Sequence, residues 1–292
     1  MVRSVAIVSK KHKKAAWEAG RELQQWFAVR GVKSILLENE PDPQAPVLPP
    51  ETEGIVVLGG DGTLLSVARH YVSLGVPILG VNVGGLGFLT EISLSALYPS
   101  MERVLEGRYV VEERMMLTTR LLRRGQVYWE KLCLNDAVIN KGALARIVEL
   151  ATWIDKEYLT TYRADGLIVS TPTGSTAYTL SAGGPIVYPT LRHIILIPIC
   201  PFTLSNRPII LPDTVTVTVT FEEEVQDAYL SLDGQVGESL QRDDRVEMCV
   251  APQNLKLILS PHRSYFEILR NKLGWGEPGS HTCLTDFNRE RE

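Results

Sequence analysis

The sequence predicts an α/β domain built on a parallel sheet, followed by an all-β domain of the β-sandwich type. Three observations predict it. Over the first hundred or so residues, short apolar runs alternate with amphipathic stretches, the pattern of a parallel sheet flanked by helices. After about residue 110, segments of period two take over, the clearest being Val-Thr-Val-Thr-Val-Thr at 215–220. The composition, 45% apolar and 22% charged over 292 residues, suits a chain with a sizeable core.

Taken in order, residues 5–8 read as a buried strand. Residues 15–30 set Ala16, Leu23, Phe27 and Ala28, with Trp26 beside them, at mostly helical spacing and end before Gly31. A second strand covers 34–37, and five prolines make 41–50 a loop. A strand at 55–58 leads to a helix at 64–73, and a strand at 77–80 to a helix at 94–105 that ends at Gly107. Residues 117–122 and 126–132 flank Arg123-Arg124-Gly125 as a hairpin. Further strands are expected at 167–170, 215–220, 229–232 (entering the tight turn Asp233-Gly234), 246–250 and 255–259. Only two helices interrupt this half, at 176–182 and 264–273. The expected divisions are 1–110 for the α/β domain, 111–262 for the β-rich domain and 263–292 for a C-terminal helix and tail.

Thirty Lys and Arg against thirty-four Asp and Glu leave a formal charge of −4, which excludes binding nucleic acid or anionic membrane by bulk charge. A small anion held in one local pocket stays possible. Cys133, Cys200, Cys249 and Cys283 form no C-x-x-C pair for zinc or redox work and read as reduced thiols. The short apolar start followed by Lys10, Lys11, Lys13 and Lys14 has the wrong order for a secretory leader, and the longest apolar run, 194–200, is far below the roughly 18 residues needed to span a bilayer. A cytoplasmic protein is expected.

Four stretches carry chemistry. Gly59-Gly60-Asp61-Gly62-Thr63 lies between a strand and a helix, where ligands meet the carboxyl ends of parallel strands. Its glycines and the helix start suit a phosphate. Asp61 would repel that phosphate, so it reads as a general base or metal ligand, or else as a helix cap. The loop 80–90, with Gly80, Gly84, Gly85 and Gly87, implies close approach of a ligand or a crossover. Asn135-Asp136 offers donors and acceptors for ribose or amide groups, or a turn. The block 163–185 runs a strand into Ser170, Thr171, Thr173, Ser175 and Thr176, then a short helix with Tyr178. Those hydroxyls suit polar ligand contacts or caps, and Tyr178 a stacking surface.

Taken together, these residues resemble the NAD kinase family. The resemblance runs through Gly59-Gly60-Asp61-Gly62, the 80–90 loop, Asn135-Asp136, the 163–185 block, Pro198-Ile-Cys200-Pro201 with 204–208, and Leu232-Asp-Gly-Gln235, nearly the whole chain in order. It implies phosphorylation of NAD by ATP at the 2′-hydroxyl of the adenosine ribose, with a divalent metal, magnesium being the expected ion. Asp61 matches the family's catalytic base, and Gly59, Gly60, Gly62 and Thr63 its phosphate loop. Asn135 and Asp136 match residues on the NAD ribose, and Arg163 and Asp165 residues near the nicotinamide amide. Thr176, Ala177, Tyr178 and Ser181 match positions around adenine and the second ribose. Arg146, Cys200 and Gln235 fall at further ligand-lining positions. Phe202, Arg146 and Asp136 depart from residues common in relatives. The resemblance also implies a C-terminal helix returning to the first domain, and a homodimer or homotetramer whose neighbours complete the site. Two other classes were weighed on the glycine motif. A diacylglycerol-type lipid kinase should lack the 171–185 block, and a non-catalytic dinucleotide-binding protein should have lost Asp61.

Overall fold

A computed structural model describes residues 2–275, apart from 41–44, 86, 143–146, 222–227 and 262. The elements follow in chain order as β1 (Ser4–Ser9), α1 (Lys14–Val29), β2 (Lys33–Glu38), β3 (Gly54–Gly59), α2 (Asp61–Tyr71), β4 (Ile78–Asn82), β5 (Ile92–Ser93) and α3 (Leu97–Leu105). Then come β6 (Val111–Arg123), β7 (Gln126–Cys133), β8 (Asp136–Lys141), β9 (Val148–Ile154), β10 (Glu157–Ala164), β11 (Gly166–Ser170) and the single-turn α4 (Tyr178–Ser181). The chain continues through β12 (His193–Ile199), β13 (Ile209–Pro212), β14 (Val217–Thr220), β15 (Ala228–Leu232), β16 (Val236–Ser239), β17 (Arg245–Ile258) and α5 (Tyr265–Leu273).

The N-terminal half is the expected α/β layer arrangement. Strands β4, β3, β1 and β2 lie side by side and parallel. Each is apolar on both faces, as a doubly covered parallel sheet requires. Leu64, Leu65, Val67 and Ala68 of α2 pack on one face with Ala6, Val8, Ile55 and Val57. Ala16, Leu23 and Phe27 of α1, with Leu97, Met101 and Val104 of α3, pack on the other with Val5, Ile7, Val56 and Leu58.

The later strands form an antiparallel sandwich. One sheet has the order β13-β12-β11-β8-β15-β16. The facing layer is the antiparallel half of the first sheet, β10-β9-β14-β17 with β6 and β7. Between them lies a core that includes Leu117, Ile139, Leu150, Leu167, Leu196, Val219, Leu230 and Met248.

Several expectations are corrected. The two strands expected at 246–250 and 255–259 are one, β17, with a register shift between Val250 and Asn254 against β6. Pro252 cannot donate to a ladder, and the irregularity is where such a residue is tolerated. Strand β17 then joins the halves: it pairs antiparallel with β14 at 245–248 and parallel with β4 at 257–258. The helix expected at 176–182 is a 3-10 turn, Thr173–Thr176, followed by α4. Helix α2 begins at Asp61 rather than at 64. Strands β5, β8, β9, β10, β12, β13 and β16 have no counterpart among the expected elements.

Residues 1–259 form one compact unit and 260–292 another. In the second, α5 carries a capping box: Ser264 accepts from the Glu267 N–H, and Glu267 accepts from the Ser264 N–H. Among the described residues no helix is long and apolar enough to cross a membrane.

Candidate functional site

Asp61 is the first residue of α2, after the extended N-cap Gly60, and no side chain caps the helix. The capping alternative for Asp61 is therefore not what forms. Its carboxylate turns instead to the glycine loop. Oδ2 accepts from the Phe88 N–H at 2.7 Å, and Oδ1 accepts from the N–H groups of Leu89 (3.1 Å) and Thr90 (3.0 Å) and from Thr90 Oγ1 (2.9 Å). A Cβ on Gly87 would overlap Asp61 Oδ1, so the loop can close on the carboxylate only with glycine there. Asn82 braces the same loop, donating to Thr90 Oγ1 at 2.8 Å and accepting from the Gly84 N–H at 2.6 Å.

Asn135 and Asp136 occupy the short turn from β7 into β8, and a second carboxylate organises them. Asp233 Oδ1 accepts from the N–H groups of Leu134 (3.1 Å), Asn135 (2.7 Å) and Asp136 (3.3 Å). Its side chain is 0% exposed, and Arg69 of α2 donates to its Oδ2 at 2.8 Å. The other arm of Arg69 donates to Gln235 Oε1 at 2.6 Å, and Gln235 Nε2 donates to the Gly62 carbonyl at 2.6 Å. The hydroxyl block is tied to the same turn: Thr171 Oγ1 donates to the Leu134 carbonyl at 2.6 Å, and Ser170 Oγ to that of Asn135 at 3.1 Å. A Cβ on Gly174 would overlap the Asn135 carbonyl. Asn135 Oδ1 and Thr173 Oγ1 are buried and have no hydrogen-bond partner among the described residues.

Beside the start of α2 lies a cavity of about 370 Å³ lined by Lys10, Lys11, Asn39, Gly60, Gly62, Thr63, Ser66, Arg69, Gln235 and Val236. Gly60, Gly62, Thr63 and Gln235 were expected at a site; Lys10, Lys11 and Arg69 were not. The lysines follow the carboxyl end of β1, the same edge of the sheet as the glycine motif, and that position was the available signal. Lys13, nearby in sequence, donates to the Val83 carbonyl at 2.7 Å.

The other expected residues divide in two along β11. Ser170 pairs with Asp136 at one end of that strand, and Gly166 with Asn140 and Ile199 at the other. Thr176, Ala177, Tyr178 and Ser181 follow the first end, in the 3-10 turn and α4, with Tyr178 42% exposed. Arg163, Asp165 and Cys200 gather at the second, about 13 Å away at roughly 3.3 Å per residue. There Asp165 pairs with Lys141 at 3.1 Å, and Arg163 pairs with Glu149 at 3.0 Å and lies 5.4 Å from the centre of the Phe202 ring. Cys200 is exposed, with a left-handed φ of 44°. Within one chain, then, these three lie at the end of β11 away from the Asn135-Asp136 turn. Arg146 lies outside the described residues.

Burial, with the Asp233 charge second, pushes the Asp136 carboxyl up from 3.8 to about 7. A carboxyl raised by folding binds its proton more tightly when folded, so stability falls as pH climbs between the two values. Asp136→Asn removes that ionisation. The variant should melt above the wild type at about pH 8, with the gap closing towards about pH 4. Thermal melts across that range check it, and a wild type that is the more stable at the alkaline end would refute the raised carboxyl.

Two family models match the chain: the ATP-NAD kinase N-terminal domain over residues 46–109 and the ATP-NAD kinase C-terminal domain over 134–260. Among curated relatives, an NAD kinase of Syntrophobacter fumaroxidans is 48% identical and one of Geobacter sulfurreducens 49%, each over 94% of this chain and 100% of the relative. Among solved structures, yeast NADH kinase complexed with NADH aligns with a TM-score of 0.83 at 28% identity, covering 94% of this chain and 89% of the other. An NAD kinase from Archaeoglobus fulgidus in complex with ATP aligns at 0.72 and 26% identity, over 92% and 98%. With both halves matched in order and near-complete relatives at this identity, the chain belongs to the ATP-NAD kinase family and its activity is that of an NAD kinase.

Proposed function

We propose that the γ-phosphoryl group of ATP passes to the 2′-hydroxyl of the adenosine ribose of NAD, giving NADP, with Asp61 as the general base. The carrying observation is the uneven loading of its carboxylate. Oδ1 takes three donors and Oδ2 one, so Oδ2 keeps a lone pair for the hydroxyl proton while the loop fixes its direction. In the step, the ribose oxygen bonds to the γ-phosphorus, the bond to the β,γ-bridging oxygen breaks, ADP leaves, and the proton goes to Asp61.

In this reading the donor's phosphates enter the cavity at the start of α2. The first-turn N–H groups of α2 and the ammonium group of Lys10 meet the negative charge there, with Lys11, ion-paired to Glu40, beside them. The named ligands of the two structural neighbours, NADH and ATP, agree with an acceptor and a donor of these classes. Among the described residues no three His, Cys, Asp or Glu side chains converge to hold a metal. A divalent ion, magnesium in this reading, would be held mainly by the donor's own phosphates. Neither a lipid kinase nor a non-catalytic binder gains support, since both matched family models are ATP-NAD kinase domains. The reading keeps a cytoplasmic protein that binds neither nucleic acid nor membrane, in line with the charge of −4.

The reading also includes a homo-oligomer, a dimer or tetramer. Arg163, Asp165 and Cys200 sit at the far end of β11 from the Asn135 turn, a distance that a second copy of the chain would bridge. They then serve the NAD bound by a neighbour.

Asp61→Asn should lower kcat by about a hundredfold to ten-thousandfold and leave NAD affinity nearly unchanged. Steady-state NADP formation beside direct NAD titration checks it, and near-normal turnover would remove Asp61 as the base. A Lys10→Ala, Lys11→Ala double variant should raise KM for ATP about tenfold or more with KM for NAD unchanged; the opposite split would move the donor elsewhere. Co-expressing Asp61→Asn with Asp165→Ala chains should restore activity that neither has alone. An inactive mixed oligomer would place Asp165 outside a shared site.

A further inference from the structure

The two catalytic elements of the proposed site come from distant parts of the chain, and one buried pair connects them directly. Helix α2 carries Asp61 at its start and Arg69 two turns later. The turn 134–136 carries Asn135 and Asp136, and its three N–H groups converge on Asp233. Asp233 and Gly234 both have left-handed φ, 51° and 62°, which makes the tight β15–β16 turn and points the carboxylate inward. Arg69 then spans the gap with one fork, Nη1 to Asp233 and Nη2 to Gln235, while Gln235 returns to the Gly62 carbonyl beside Asp61. Its side chain is 6% exposed and both arms are engaged within the protein. A buried ion pair is a weak source of net stability, so the geometry that it imposes is the more telling property.

We propose that Arg69 and Asp233 are positioning residues for phosphoryl transfer, holding the acceptor-binding turn 134–136 in register with Asp61. The proposal rests on the reading that Asp61 and this turn serve the acceptor ribose. Lysine cannot replace Arg69, because an ammonium group cannot reach Asp233 and Gln235 with two coplanar donors. Asp233, wholly buried, touches neither substrate, and its effect on rate acts through the turn. A displacement of about 1 Å between base and hydroxyl is enough to cost on the order of a hundredfold in rate.

The test uses the full-length chain with Asp233→Asn, Arg69→Lys and the double variant, measuring kcat, KM for ATP and for NAD, and thermal melting. Asp233→Asn should lower kcat about tenfold to a hundredfold with KM for ATP within about twofold. Arg69→Lys, which keeps the charge but loses the two-armed fork, should also lower kcat by about tenfold with KM for ATP within about twofold. The double variant should be no slower than the worse single one, because the pair acts as a unit. Multiplying single effects, or lowered melting with unchanged kcat in the folded protein, would overturn the proposal. So would a raised KM for ATP with normal kcat in Arg69→Lys, which would make Arg69 a phosphate contact. If Asp233→Asn does not fold, Arg69→Lys alone decides by the same split. Asp61→Asn assayed in parallel separates the two ideas. An active Asp61→Asn enzyme removes the underlying reading. An inactive one beside a fully active Asp233→Asn enzyme removes only the positioning role.

Discussion

The continuity of hydrogen bonding through β17 is the constraint on which the rest of the molecule depends. Backbone N–H and C=O groups must find partners once buried. A strand that pairs with β14 at 245–248, with β4 at 257–258 and with β6 along its length therefore welds the parallel and antiparallel halves into one sheet. The glycine motif at the end of β3 and the turn before β8 are held at a set distance by that weld. No hinge is needed to bring them together. The register shift around Pro252 lets β17 continue between its two sets of neighbours without ending.

On that frame, two carboxylates do parallel work. Asp61 gathers three N–H groups and a hydroxyl of the glycine loop, and Asp233 gathers the N–H groups of 134–136. In each case an anion orders a loop that could not otherwise satisfy its own backbone donors. The difference lies in exposure and partner. Asp233 is sealed, paired with Arg69 and bonded to the N–H groups of 134–136. Asp61 is partly open and its Oδ2 has capacity left, which suits chemistry. A net charge of −4 does not prevent a local positive field, because a helix start and a few cations line the cavity beside α2.

Much of this was legible in the residues, and the reasons are local. Gly59 to Thr63 by itself reads equally as a glycine turn with a capping acid; it reads as a site only together with the 80–90 loop, Asn135-Asp136 and the 163–185 block. The parallel strands read well because each is a short apolar run bounded by turns. Strands β9 and β10 went unread because Val-Glu-Leu-Ala-Thr-Trp-Ile and Glu-Tyr-Leu-Thr-Thr-Tyr-Arg-Ala lack clean alternation; their pairing partners, not their own pattern, make them strands. Lys10 and Lys11 entered the sequence reading only as charges following the first strand. Their cavity exists only because β1 ends beside α2.

The sequence by itself determined the fold class, the glycine loops and the family, since each is carried by residues adjacent in the chain or in fixed order along it. The tertiary structure alone decided which distant groups meet. Arg69 and Asp233 are 164 residues apart, and nothing in either neighbourhood announces the other. It also decided that the expected ligand-facing residues fall at two ends of β11, because strand register is set by long-range pairing rather than by local preference. Local propensity can name the parts of a site, but only the packed sheet sets the distances at which those parts act.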